Sequence, residues 1–105
     1  MQTQTEAFWN PAAGVIPRSP WSVVGVRVMP GYRLWVRFLD GVEGIVEMEG
    51  LIFSEQAGVF SILRDDALFA SAFIDHGAVS WPGELDLAPD AMHDEIEGHG
   101  VWVLS

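Results

Sequence analysis

From Trp21 onward, hydrophobic and polar positions alternate along the chain. Val24, Val26 and Val28 are separated by Gly25 and Arg27, and after Pro30-Gly31 the residues Leu34, Val36 and Phe38 alternate with Arg33, Trp35 and Arg37. A period of two sends alternate side chains to opposite sides of a pleated strand, so both segments read as half-buried strands. Asp40-Gly41 turns the chain into a third strand, with Val42, Val46 and Met48 on the buried side and Glu43, Ile45 and Glu47 on the other. Three strands joined by turns predict an antiparallel meander.

The register of the second hairpin turn follows from the same pattern, because a slip of one residue exchanges the two faces. A two-residue Asp40-Gly41 loop would set Phe38 against Glu43 and Leu34 against Glu47, placing glutamates in the core. A three-residue loop, Leu39-Asp40-Gly41 with Gly41 left-handed, sets Phe38 against Val42 and Leu34 against Val46. The three-residue loop is therefore expected. It places Arg37 opposite Glu43, Arg33 opposite Glu47 and Trp35 opposite Ile45 on the outer face.

Beyond Gly50 the period lengthens. Phe60, Leu63, Leu68 and Phe69 around Arg64-Asp65-Asp66 fit two brief helical turns, with an aspartate capping the second. Segments 72–75 and 78–81 flank His76-Gly77 as a second hairpin that Pro82-Gly83 closes. Pro89-Asp90 opens a last helix through Glu97, with Gly98 as its stop, and residues 101–104 read as a final edge strand. The fold class expected is α+β: a small antiparallel β-meander sheet with two or three short helices. Residues 1–19, with three prolines nearby at 11, 17 and 20 and no apolar period, read as an irregular arm that Phe8 and Trp9 pin to the body. Residues 20–98 form a single α+β domain, and 99–105 a C-terminal tail or edge strand.

Composition narrows the function classes. A chain of 105 residues that is 50% hydrophobic and 19% charged has the makings of one modest core. It contains no cysteine, which removes disulfides, thiolate metal sites and cysteine nucleophiles. Lysine is also absent, excluding a Schiff base and a phosphate-loop lysine. No apolar run reaches the ~20 residues of a membrane span, and no secretory signal is visible, so the cytoplasm is the expected compartment.

The formal net charge of −10 opposes nucleic-acid phosphates and anionic membranes, so neither is an expected partner. The charge is also segregated. Residues 1–39 hold Arg18, Arg27, Arg33 and Arg37 against Glu6, a net +3, whereas residues 40–105 hold Arg64 against fourteen acids, a net −13.

Three groupings invite a chemical reading. His93 and Glu97 share a helix face at i,i+4 with Asp90 and Asp94 nearby, a geometry that permits a surface cation site. An acidic stripe on a last helix is ordinarily a solvated face, and no metal is expected there. Glu84 and Asp86, two apart after Trp81-Pro82-Gly83, project from one side of an extended segment. With Asp90 and His93 they offer an acid/base or metal-dependent hydrolase site. The competing structural reading puts Trp81 and Leu85 or Leu87 in the core, with Asp86 or Asp90 accepting backbone hydrogen bonds at the helix start. Trp35, flanked by Arg33 and Arg37 with Arg27 on the neighbouring strand, is either a partner-binding surface or an arginine-stacked structural tryptophan. Motifs for nucleophile elbows, dinucleotides, phosphate loops, zinc peptidases and calcium loops do not occur. No catalytic residue and no cofactor is expected.

The order of these segments resembles a known family. Trp21 to Val28, Tyr32-Arg33-Leu34 through Phe38-Leu39-Asp40-Gly41, Leu63-Arg64-Asp65-Asp66 within residues 60–69, and Trp81-Pro82-Gly83-Glu84-Leu85-Asp86-Leu87-Ala88-Pro89-Asp90 are similar to the small bacterial domain-of-unknown-function family 2442. The likeness covers roughly residues 20 to 97. It implies an α+β domain with a small antiparallel sheet and brings no activity or catalytic residues. Some longer relatives append a helix-turn-helix, which is not expected in a chain of this length. Many are encoded beside another short protein in the manner of toxin–antitoxin pairs. The resemblance thus implies a protein-interaction module, an acidic partner that regulates or neutralises a small, basic neighbour, with a homodimer as a further arrangement. The expected binding residues are Arg27, Arg33, Trp35, Arg37, Glu84, Asp86 and Asp90.

Overall fold

Three strands form where the period-two pattern places them, as β1 (Val23–Met29), β2 (Arg33–Phe38) and β3 (Glu43–Glu47), in a computed structural model that describes residues 19–105. The β2–β3 turn has the three-residue form. The Phe38 N–H donates to the Val42 carbonyl at 2.8 Å, the Gly41 N–H returns to the Phe38 carbonyl at 2.9 Å, and Gly41 lies at φ +92°. Leu34 faces Val46, Trp35 faces Ile45, and Arg37 faces Glu43, as the burial argument requires. Phe8 and Trp9, expected to pin the arm, lie outside the described residues.

One expected strand position is wrong. Val24 does not share the inner face with Val26 and Val28. A β-bulge pairs Val23 with Phe38 and Gly25 with Arg37, leaving Val24 as the extra residue and turning it outward, while Val23 takes the buried place. The chain needs this irregularity where β1 meets the second sheet, since the Val23 N–H bonds the Gly77 carbonyl at 2.8 Å and the Ser22 carbonyl accepts from Leu39.

That second sheet comprises β4 (Phe73–Asp75), β5 (Ala78–Trp81) and β6 (Leu85–Asp86), antiparallel in that order. His76 and Gly77 are both left-handed, at φ 52° and 79°, as a tight two-residue hairpin turn demands. The helical turns around Arg64 are a 3-10 helix (Gly58–Arg64) and α2 (Asp66–Phe69), to which Asp65 is the N-cap, accepting from the Ala67 and Leu68 N–H groups. A further single turn, α1 (Glu49–Ile52), follows β3.

The last helix, α3 (Pro89–His99), begins at Pro89 as expected but does not stop at Gly98. Its left-handed cap is Gly100, at φ 77° with its N–H on the Ile96 carbonyl at 2.7 Å. The cap falls two residues later because the Gly100 carbonyl must meet the Ile45 N–H, at 3.2 Å, to start β7 (Val101–Val103) alongside β3. β7 pairs parallel to β3 and completes a four-stranded sheet of order β1-β2-β3-β7.

The core lies between the inner face of this sheet and everything else. Leu34, Val36, Phe38, Val46 and Met48 are fully buried against Ile52, Leu63, Phe69, Val79, Trp81 and Met92. Burying side chains of this size stabilises by about 1.5–3 kcal/mol each. Gly44 is what lets α3 come down on β3: a Cβ there would lie 2.6 Å from the Gly100 carbonyl oxygen and would also strike Ile96. Among the described residues no helix is long and apolar enough to cross a membrane.

Candidate functional site

Among the described residues, the strand pattern that buries one side of the large sheet leaves the other side uncovered. Register aligns Arg27, Trp35, Ile45 and Val101 in one row across all four strands. Gly25, Arg37 and Glu43 form the row on one side of it, and Met29, Arg33, Glu47 and Val103 the row on the other. No member of these rows is buried. The described residues carry fourteen carboxylates and four arginines, and three of those arginines stand on this face.

The arginines are held in three different ways. Arg27 stacks on the Trp35 ring with its guanidinium carbon 5.2 Å from the ring centroid, an arrangement worth about 0.5–1 kcal/mol at an exposed site. Arg37 reaches Glu43 at only 3.9 Å, and Glu43 also accepts from the Trp35 indole N–H at 3.4 Å. Arg33 stands opposite Glu47 in register but donates instead to the Pro30 carbonyl at 3.0 Å. Its charge has no carboxylate within ion-pair range among the described residues. The Trp35 ring is half-buried because it lies over Gly25, where a Cβ would be 3.2 Å from the ring. The stacked-arginine reading of Trp35 thus holds for Arg27, and the rest of the face is uncovered among the described residues.

The second set of expected residues does not gather into a site. Glu84, Asp86 and Asp90 are all exposed. Glu84 sits at φ 65° in the turn after Gly83, and Asp90 accepts from the Ala91 N–H at 2.9 Å at the start of α3. Trp81, Leu85 and Leu87 are buried, so the segment's apolar residues anchor it while its acids face solvent. His93, which the hydrolase reading groups with these acids, is buried and bonded to Asp40, whereas Glu84, Asp86 and Asp90 face solvent.

Where His93 points is the feature that sequence reasoning missed. The histidine, expected on a solvated stripe, is buried at 8% exposure and bonds Asp40 Oδ2 at 2.8 Å. Its ring stands edge-on to Phe38 at 4.9 Å between centroids. Asp40 is fixed from its other side, since Oδ1 accepts from the Val42 N–H at 3.0 Å. That backbone hydrogen bond, then the one from His93, hold the Asp40 carboxyl below its ordinary value of 3.8. Glu97, one helical turn beyond His93, completes a group of Asp40, His93 and Glu97 whose ligand atoms all lie within 4.8 Å of one another. The i,i+4 pair was legible in the sequence; its third member, 53 residues upstream in a hairpin turn, was not.

Comparison with known proteins gives one positive result. A family model described as a protein of unknown function (DUF2442) matches residues 23–98. No curated protein matched the chain. No solved structure matched it either. The matched span runs from the start of β1 almost to the end of α3, so it takes in the β1–β3 part of the open sheet face and the Asp40–His93–Glu97 group, and leaves β7 outside.

Proposed function

Since this chain belongs to the family of proteins of unknown function DUF2442, which prescribes no chemistry, we propose from its surface that it is a non-enzymatic protein-interaction module. Its partner is a small basic protein, which it regulates or neutralises in the manner of an antitoxin. The observation that carries this reading is the open sheet face, where Trp35 and Ile45 lie in one row with Arg27 and are flanked by Arg33 and Arg37. Tryptophan and arginine are the residues that dominate binding energy at protein interfaces, particularly when ringed by polar contacts that exclude water. The face itself carries Arg27, Arg33 and Arg37 against Glu43 and Glu47, so the partner meets it through an apolar or acidic patch, and it is the remainder of the described surface that favours a partner of net positive charge. Apart from Glu43 and Glu47, twelve carboxylates lie off that face against the single Arg64, and that guanidinium is occupied by the Ile52 and Ser54 carbonyls. A field of this sign steers a basic partner in and weakens as salt rises.

The test is affinity capture from cells of the source organism at low and moderate salt, with the wild-type chain and Trp35→Ala side by side. The reading expects one basic protein retained by the wild type, more weakly at moderate salt, and lost with Trp35→Ala while the variant stays folded. Consistent recovery of no partner, or equal recovery with both chains, contradicts it.

A further inference from the structure

The Asp40–His93–Glu97 group lies apart from the open sheet face and plays no part in the binding role assigned to that face. We propose that these three side chains form a binding site for one divalent first-row transition-metal ion, of which zinc is the representative. The donor set is one imidazole nitrogen and two carboxylate oxygens, all within 4.8 Å of one another. Imidazole favours transition metals, whereas magnesium and calcium prefer oxygen donors throughout. His93 Nε2 and Asp40 Oδ2 are hydrogen-bonded at 2.8 Å, so an ion bonded to each donor at about 2.0–2.2 Å displaces the proton they share and moves the two atoms apart, while Glu97, exposed on the helix, swings in as the third donor.

The two halves of the site are held in place by different elements. His93 is carried on α3, which Gly44 allows to seat closely on β3. The imidazole itself is nine-tenths buried and braced edge-on by Phe38. Asp40 sits in a hairpin turn whose geometry Gly41 fixes, and the Val42 N–H holds one carboxylate oxygen while the other faces the histidine. A hydrogen bond to the non-ligating oxygen is the kind of outer contact that orients a metal-binding carboxylate. A buried histidine facing two carboxylates, supported this way from the backbone, is more than an acidic patch. With three protein donors, the remaining coordination positions are left to water.

The experiment is calorimetric titration of the untagged full-length chain with zinc chloride, with magnesium chloride as the comparison, and thermal melts of the same samples. The expected result is one zinc bound per chain and a raised melting midpoint, since a ligand that binds only the folded state stabilises it. Magnesium should give neither effect at the same concentration. Glu97→Gln, at an exposed position, should melt like the wild type in chelator yet bind zinc at least about tenfold more weakly, and Asp40→Asn should weaken binding similarly. The absence of saturable zinc binding overturns the proposal. So does unchanged affinity in Glu97→Gln, or loss of binding in His76→Ala, which would put the ion on the exposed Asp75–His76 pair instead.

Discussion

Asp40, in the turn between β2 and β3, and His93, in the middle of α3, meet across 2.8 Å and tie the edge of the meander to the last helix. The bond joins residues 53 apart in sequence. It makes acid stability a local question, because among the described residues Asp40 is the carboxyl whose titration is shifted downward, first by the Val42 N–H and then by His93. A carboxyl depressed in the folded state contributes stability above its unfolded value, and that contribution is lost as pH falls through the folded one. Asp40→Asn should therefore lower the melting midpoint at neutral pH, with the gap to the wild type narrowing below about pH 4. Melting curves across that range check it, and a constant gap would contradict it.

Gly41→Val should destabilise by about 1 kcal/mol or more, because a β-branched residue is strained in the left-handed region. The position is sterically open, with nothing within 4 Å of an added Cβ, so the whole effect comes from φ +92°. Gly41→Asn, which tolerates that region, should lose less. Chemical denaturation of both variants separates strain from crowding.

Gly44→Ala tests the opposite case. Its backbone is unstrained, but the added methyl meets Ile96 and the Gly100 carbonyl, and overpacking of this kind typically costs about 1–3 kcal/mol. The damage should localise to α3 and β7, visible as faster amide exchange there than in β1 and β2.

Much of this architecture was legible. Alternation within Arg33–Phe38 and Val42–Met48 indicated which faces are buried, and the cost of burying glutamate selected the turn. Pro89 and the His76-Gly77 pair marked their elements by backbone preference. The missed features depend on contacts between distant segments. Val24 is displaced by a bulge where β1 joins the second sheet, and Gly98 loses its role as helix stop to Gly100 because Gly100 must meet Ile45. Nothing local to Val101–Val103 says that it pairs parallel to β3. Of the candidate sites, the arginine–tryptophan face followed directly from strand alternation. The inward turn of His93 did not, because a helical stripe of acids conceals one buried histidine.

Trp81→Ala should be severely destabilising. The ring is 1% exposed, packs against Phe69, and donates its indole N–H to the Phe69 carbonyl at 3.0 Å. Truncating a buried aromatic costs about 3–5 kcal/mol, a large share of the stability of a domain this small. The variant should be mostly unfolded or insoluble by circular dichroism. A folded Trp81→Ala with an unchanged melting midpoint and lost partner binding would reassign residues 81–90 from structure to function.

The most direct test of the interaction surface is a backbone and indole amide footprint of the captured partner on the isotope-labelled chain. The predicted perturbations fall on Gly25, Arg27, Ile45 and Val101 and on the Trp35 indole N–H, and they saturate with partner concentration. Perturbations confined to the Glu84–Asp90 segment, or spread evenly over the acidic surface without saturation, would contradict the account.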